Sequence, residues 1–172
     1  PAGRSGAGIL RARLQQPTLM AASLAPELAA YLANHHVMTL ATQGSDGPWA
    51  AAVFYAWVDG ALIFLSSPKS RHAANLAQDR RCAATIQEDY SDWRQIKGVQ
   101  LEGQVEQLQG EDAARARAAY ADKFPIAGPL ALIPPAIAEA FARVSWYRLA
   151  PVRLYFIDNA KGFGHRDEIG LA

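Results

Sequence analysis

The sequence predicts an antiparallel β-barrel, closed or half closed, with a few short helices between its strands. Most segments of strand character are short and follow one another through tight turns, and the helical segments do not alternate regularly with them, which argues against a doubly wound sheet. The length of 172 residues, with 51% hydrophobic and 19% charged side chains, suits one domain with a buried core. An α+β sandwich is the second architecture that this pattern allows.

The chain is expected to begin with a mobile extension followed by a helix. Residues 1–19 open on a Gly-rich, non-periodic stretch, so we assign them to an N-terminal extension and residues 20–172 to a single domain. Apolar residues then recur at helical spacing as far as Asn34, with Ser23 as the expected N-cap. These apolar residues are Leu24, Leu28, Tyr31 and Leu32.

Three consecutive antiparallel strands are expected next. Residues 36–42 and 49–58 have strand character and flank the turn residues 44–47, so they predict a first hairpin. Asp59-Gly60 favours a type I′ turn, which pairs residues 61–66 with the preceding strand.

A helix and two further strands follow the hairpins. Ser70 is a suitable N-cap for a short helix over residues 71–76. Residues 82–87 have strand character, and residues 99–105 alternate with the period of two that is typical of a half-buried strand. Gly103 in that strand indicates a bend or a close approach of another backbone.

The last third of the chain predicts helices and one more strand. Residues 113–123 have helical composition, and the Pro-punctuated stretch after them allows a short helix over residues 137–142. Residues 146–157 predict the last strand, with Pro151 at an edge or a bulge, and residues 158–165 form a Gly-rich loop.

The balance of charge argues against a nucleic-acid or membrane partner. Seventeen basic and sixteen acidic side chains give a formal net charge of +1, which supplies no global field to attract a polyanion. No run approaches the roughly 20 apolar residues that span a bilayer. Cys82 is the only cysteine, so no intramolecular disulfide can form. We therefore expect a cytoplasmic protein.

Residues 64–75 carry the most informative chemistry, because a strand end, a serine-rich break and a helix start meet there. The first turn of a helix has unpaired N–H groups, serine hydroxyls donate hydrogen bonds, and a guanidinium can bind phosphate through two of its nitrogens. Lys69, Ser70, Arg71 and His72 therefore form a candidate anion site. The alternative is a capped surface helix with solvated basic side chains.

Five short segments occur in an order that is typical of one family. They are Phe54-Tyr55, Lys69-Ser70-Arg71-His72-Ala73, Ile96-Lys97-Gly98-Val99-Gln100 with Gly103, Ala119-Tyr120 with Phe124-Pro125, and Asp158-Asn159 with Gly162-Phe163-Gly164. In this order they resemble the pyridoxamine 5′-phosphate oxidase-like split barrels that bind flavin mononucleotide (FMN), and particularly the small uncharacterised bacterial members of that family. The resemblance covers nearly all of the chain after residue 20.

The resemblance implies a mainly β fold with flanking helices: a six-stranded antiparallel split β-barrel that forms a homodimer and binds FMN in a groove shared by two subunits. By position, Ser70, Arg71 and His72 match the family's phosphate contacts. The residues that it places beside the flavin ring are Val53, Phe54, Tyr55, Leu65 and Ser66. Aromatic residues expected to be exposed on the second strand also favour a homodimer; they are Phe54, Tyr55 and Trp57.

Two departures from the family pattern limit the functional inference. His72 stands where the oxidase has a lysine-type residue, and a neutral imidazole brings one hydrogen bond in place of a full charge. The tryptophan and arginine pair near the end of the oxidase has no counterpart in residues 154–166. Oxidation of the oxidase's vitamin substrate is therefore not our first hypothesis for the function of this chain.

The expected function is that of an FMN-dependent oxidoreductase whose substrate and electron donor are unknown. Flavin carries this chemistry itself, so no catalytic acid or base is assigned. A non-catalytic flavin-binding protein is an alternative, because a fold does not determine a function. A haem-binding or haem-degrading protein is another, since some split-barrel relatives use a histidine from a C-terminal loop and His165 occupies such a loop.

Other conspicuous residues are interpreted structurally. His35 and His36 are adjacent and make a poor chelate, and the remaining histidines lack zinc-ligand spacing, so no metal is expected. Cys82 lies among small and apolar residues and is expected to be a buried, inert thiol. Stacking of the tryptophans on single-stranded nucleic acid is not expected, because basic residues are not interleaved with them. The tryptophans interpreted instead as core or interface anchors are Trp49, Trp57, Trp93 and Trp146.

Overall fold

The computed structural model describes residues 24–125 and 134–171. The expectations for residues 1–19 therefore lie outside the described residues, as does Ser23. The helices and strands are, in chain order, α1 Pro26–Asn34, β1 Val37–Gly44, β2 Gly47–Val58, β3 Ala61–Ser66, α2 Arg71–Gln78, β4 Arg81–Gln87, β5 Lys97–Leu108, α3 Gly110–Lys123, α4 Pro135–Ala142, β6 Ser145–Asp158 and β7 Arg166–Glu168.

The described strands form one antiparallel sheet in the order β3-β2-β1-β4-β5-β6-β7. β3 also pairs with β6, from Leu62 opposite Leu149 to Ser66 opposite Ser145, and this pairing closes six strands into a barrel. The predicted six-stranded antiparallel barrel is thus confirmed. β7 lies outside the closed barrel and pairs with β6 alone.

The hairpin between β2 and β3 has the turn that the sequence predicts. Asp59 and Gly60 have φ angles of 47° and 78°, the left-handed values that both central residues of a type I′ turn need. Along β2 the side chain of Tyr55 is buried in the barrel and that of Phe54 is exposed outside it, because successive strand residues point to opposite faces.

The core fills the barrel, and a helix lies near each end of β5. At its start, the Tyr31 hydroxyl of α1 donates to the Lys97 carbonyl at 3.0 Å. Near its end, Leu76 of α2 packs close to Val105. Burial of the apolar side chains between the two helices is the main source of stability. These side chains include Met38, Leu40, Phe64, Ile86, Val99, Leu149 and Leu154.

α3 covers part of the barrel's outer surface through a second, smaller apolar cluster. Two residues of α3 pack there against β2, β3 and β6. The buried members of the cluster are Ala56, Ile63, Ala116, Tyr120 and Trp146. Among the helices in the described part of the chain, none has the length and hydropathy of a bilayer-spanning segment.

The structure corrects two expectations about elements and confirms a third. α1 begins at Pro26 with Ala25 at its N-cap position and no capping side chain, so the prediction of Ser23 as the N-cap is wrong. β7 was not predicted, because three residues are too few for a periodic pattern; it forms by pairing with residues 155–157. Pro151 lies opposite Gly103 at a register shift between β5 and β6, which confirms the predicted bulge.

Candidate functional site

Three polar side chains meet where β3 ends and α2 begins. Nε2 of His72 lies 2.6 Å from Oγ of Ser66 and 3.1 Å from Oγ of Ser70, and the two hydroxyl oxygens are 3.2 Å apart. Ser70 also caps α2 by accepting a hydrogen bond from the Ala73 amide. Each of the three groups therefore has its orientation fixed by the other two.

The tight break between β3 and α2 brings these groups together. The Ser70 amide donates to the Ser67 carbonyl, and the Lys69 amide donates to the Ser67 hydroxyl. Ser70 then takes the extended conformation of an N-cap, with φ −70° and ψ 151°. The predicted cap of α2 is confirmed.

His72 is 8% exposed. Burial lowers the pKa of its imidazole, because desolvation disfavours the charged form. The side chain is therefore neutral at pH 7 and brings no charge to the site. Its contribution is confined to hydrogen bonding with the two serines.

The hairpin between β1 and β2 adds two residues that sequence reasoning did not assign to the site. Nη2 of Arg71 donates to the Asp46 carbonyl at 2.9 Å, and its guanidinium lies 4.6 Å from the centre of the Trp49 ring. Trp49 is 41% exposed, so it is not a core anchor, and its interpretation as an interface anchor stays a prediction. The stacked ring and the carbonyl hold the guanidinium in one orientation.

Positive charge at this site is not neutralised by the described part of the protein. Within residues 24–125 and 134–171, no carboxylate lies within ion-pair distance of Lys69 or Arg71. The amides of Arg71 and His72 belong to the first turn of α2, which has no intrahelical acceptors for them. Hydroxyls, a guanidinium and helix amides are the donor set that suits a phosphate group.

The residues predicted to flank the flavin ring do not all share one surface. Phe54 points outward and Tyr55 inward, where its hydroxyl donates to the Leu32 carbonyl at 3.0 Å. Val53 packs against the barrel core and Leu65 against the outer cluster under α3. Of the predicted cofactor residues, the structure brings the side chains of Ser66, Ser70 and His72 into contact, and Lys69 and Arg71 flank Ser70 in the chain. Ring contacts by the others stay a prediction.

An uncharged surface, which we call the outer face, covers the outside of β1, β2 and β4. It consists of Val37, Ala41, Ala50, Ala52, Phe54 and Ala83, all exposed, and the strand register puts them side by side. The expectation of three exposed aromatic residues on β2 is correct for Phe54 and wrong for Tyr55, which is buried, while Trp57 is half-buried. A groove of about 550 Å³ adjoins this face near Arg81 and Glu102.

The C-terminal loop lies at the other end of β6 from the anion site. Ser145 at one end of β6 pairs with Ser66, and Asp158 at the other end pairs with Lys97. Nε2 of His165 contacts an Asp167 carboxylate oxygen at 3.1 Å. The loop of one chain is therefore separated from that chain's own anion site by the length of a 14-residue strand.

An exposed aromatic pair marks this loop. The ring of Phe163, which is 83% exposed, stands edge-on to that of Trp93 at 5.4 Å. Asn159 holds the two loops together, since its Nδ2 donates to the Trp93 carbonyl and its Oδ1 accepts from the Gly164 amide. Trp93 is 51% exposed, so it too is not a core anchor, and the interface alternative stays a prediction.

The remaining candidate residues have separate environments. Cys82 is buried as expected, and burial raises the pKa of its thiol to about 11, which disfavours the reactive thiolate. His35 stacks on Tyr31 at 3.7 Å, whereas His36 contacts Phe124. Within the described residues, no three His, Cys, Asp or Glu side chains cluster in a way that could hold a metal ion.

Known proteins are similar to this chain in sequence and in fold. The family model described as pyridoxamine 5′-phosphate oxidase matches residues 24–158. The UPF0306 protein YhbP of Escherichia coli is 32% identical over 141 residues, which are 81% of this chain and 88% of that protein. A conserved hypothetical protein of Mycobacterium tuberculosis, Rv2991, has a TM-score of 0.66 at 25% identity and covers 87% of this chain and 94% of its own. A haem binding protein of Mycobacterium smegmatis has a TM-score of 0.63 at 28% identity and covers 86% of this chain and 59% of its own.

Proposed function

The chain belongs to the pyridoxamine 5′-phosphate oxidase family, and from this premise we propose that it binds FMN with the phosphate at the start of α2. The observation that carries the proposal is the meeting of the Ser66 and Ser70 hydroxyls at the first turn of α2, the turn that also carries Arg71. A phosphate monoester only accepts hydrogen bonds from protein donors, and these groups can donate. Lys69 adds a second positive charge beside them.

FMN would supply hydride or electron transfer to the protein that holds it. The role of this chain's residues is then to anchor the phosphate and to orient the ring, for which Val53, Phe54 and Leu65 are the proposed contacts. On this basis we propose that the protein is an oxidoreductase, and we assign neither its substrate nor its electron donor. A carrier or sensor of flavin uses the same anchor without catalysis.

We further propose that two copies of the chain pair through the outer face and share the flavin groove. Val37 and Phe54 are 42% and 56% exposed on a surface otherwise made of small side chains. Such a surface is flat and uncharged, so it can pack against its own copy across a two-fold axis. We place the dimer in the cytoplasm, where the lone Cys82 stays reduced.

The proposal is tested by comparing FMN with riboflavin, which lacks the phosphate. Replacing Arg71 with alanine should weaken FMN binding roughly ten- to a hundredfold, because a hydrogen bond to a charged group is worth about 1.5–3 kcal/mol and about 1.4 kcal/mol is tenfold. Riboflavin binding should change little. Quenching of flavin fluorescence measures both affinities.

Arg94→Ala is the matched control, because Arg94 is exposed and paired with Asp92 away from α2. It should leave both affinities unchanged. Equal losses of FMN and riboflavin in Arg71→Ala would mean general damage to the fold, and no loss of either would remove Arg71 from the site.

Haem binding is the second candidate function. The similarity to the haem binding protein of Mycobacterium smegmatis at 28% identity supports it, as does the half-exposed imidazole of His165 beside the exposed ring of Phe163. An absorption spectrum of protein purified without added cofactor separates the two functions, because a flavin has two bands in the blue and near ultraviolet whereas haem has an intense Soret band. A Soret band would replace flavin with haem as the ligand.

A further inference from the structure

His72 is placed to act on a bound phosphate through the two serines. Its imidazole is buried, and its Nε2 lies within hydrogen-bond distance of both hydroxyl oxygens. Within the residues that the structure describes, Nδ1 has no hydrogen-bond partner. Every polar contact of the ring is therefore made with Ser66 or Ser70.

The number of protons in this cluster determines what the serines can offer to a ligand. Each hydroxyl has one proton to donate, and the oxygen of Ser70 already accepts from the Ala73 amide. If Nε2 carries no proton, Ser66 donates to it across 2.6 Å and has no proton left for a ligand. If Nε2 carries the proton, it donates to Ser66, and the imidazole takes up neither hydroxyl proton.

We propose that His72 is a positioning residue of the phosphate site: with its proton on Nε2 it donates to the serine oxygens and turns the hydroxyl protons of Ser66 and Ser70 toward a bound phosphate monoester. This inference rests on the proposed function. Phosphate oxygens only accept in this setting, so a bound phosphate favours the Nε2–H tautomer over the other. The imidazole thereby sets the donor state of the site without contributing charge.

Two substitutions of His72 separate hydrogen bonding from packing. His72→Leu removes the donor, and the affinity for FMN should fall about tenfold while that for riboflavin changes by less than about twofold. His72→Gln keeps an uncharged N–H donor and should recover most of the FMN affinity. A purely structural role would lower both affinities together, and this outcome would overturn the proposal.

A double-mutant cycle tests whether His72 acts through Ser66. In a Ser66→Ala background the additional effect of His72→Leu on FMN affinity should shrink to about twofold or less, because the hydroxyl that His72 orients is gone. Full additivity of the two substitutions would mean that His72 and Ser66 act independently, which contradicts the proposal.

The role of His72 can also be tested on the wild-type protein, so that the result does not depend on whether a variant folds. Nitrogen-15 NMR of the imidazole, recorded while inorganic phosphate is added, should show Nε2 protonated and Nδ1 unprotonated in the phosphate-bound protein. An unprotonated Nε2 at saturating phosphate would overturn the proposal. If the protein binds neither flavin, the proposed function fails, whereas the phosphate titration still decides the role of His72.

Discussion

Gly103 shows how a single residue can be fixed by its neighbours. It lies in β5 beside the register shift opposite Pro151. A Cβ atom at this position would be 2.2 Å from the Ala150 carbonyl oxygen, and a backbone atom in the middle of a strand cannot move aside cheaply. The sequence prediction of a close backbone approach at Gly103 is confirmed.

Gly103→Ala is therefore expected to destabilise the protein by about 1–3 kcal/mol, the usual cost of overpacking. Chemical denaturation followed by circular dichroism measures the change. Gly170→Ala is the matched control, because a Cβ there meets nothing within 4 Å, and it should change the free energy of unfolding by less than about 0.5 kcal/mol. Equal effects of the two substitutions would exclude the clash.

Lys123 joins two helices to the barrel. From the end of α3, its Nζ donates to the carbonyls of Leu32 and His35 at the end of α1, and it lies 4.2 Å from the centre of the Tyr55 ring. A cation at the C-terminus of a helix is favourable. Burial nevertheless lowers the pKa of Lys123 to about 8, so the ammonium is held at some cost in desolvation.

This pKa predicts a pH dependence of stability. Between about pH 8 and the ordinary lysine value of 10.5, the unfolded chain binds more protons at this position than the folded chain does, so stability rises with pH. The free energy of unfolding of the wild type, minus that of Lys123→Met, should therefore become more positive from about pH 7 to about pH 10. Urea denaturation at several pH values measures it, and a constant difference would contradict the lowered pKa.

The outer face lies on one side of the barrel in the whole molecule. This surface is the reason why we propose a dimer rather than a monomer. Exposed apolar side chains scattered singly need no explanation, whereas a contiguous uncharged patch indicates an interaction site. The separation of the C-terminal loop from the anion site in one chain adds a second reason. Phe163 could approach a bound flavin only if a partner chain brings it there.

Light scattering at micromolar concentration should give twice the chain mass of 18.6 kDa. Phe54→Lys puts a charge on the outer face and should shift the protein to the monomer, since an unpaired charge is costly to bury. Ala77→Lys, at an exposed position of α2, should leave the dimer intact. A monomeric wild type would contradict the shared groove.

Much of the fold could be predicted because its signals are local. Alternation of apolar residues indicates the strands, Asp59-Gly60 selects its turn by the positive φ angles that it tolerates, and Ser70 caps α2 with its own hydroxyl. Each of these depends on residues a few positions apart in the chain. The residues of the candidate anion site were identifiable to the same extent, since Ser70, Arg71 and His72 are consecutive.

The sequence by itself determined the succession of helices and strands along the chain, the turn at Asp59-Gly60, the cap of α2 and the residues of the candidate anion site, whereas the tertiary structure alone decided the order of the strands in the sheet and how these residues face one another. Arg71 meets Asp46, 25 positions away, and the same folding puts Tyr55 inside the barrel and Phe54 outside it. β7 forms by pairing with the free edge of β6. The physical reason is that hydrogen bonding and burial depend on distance in space, and closing the barrel brings together residues whose separation in the chain carries no periodic signal.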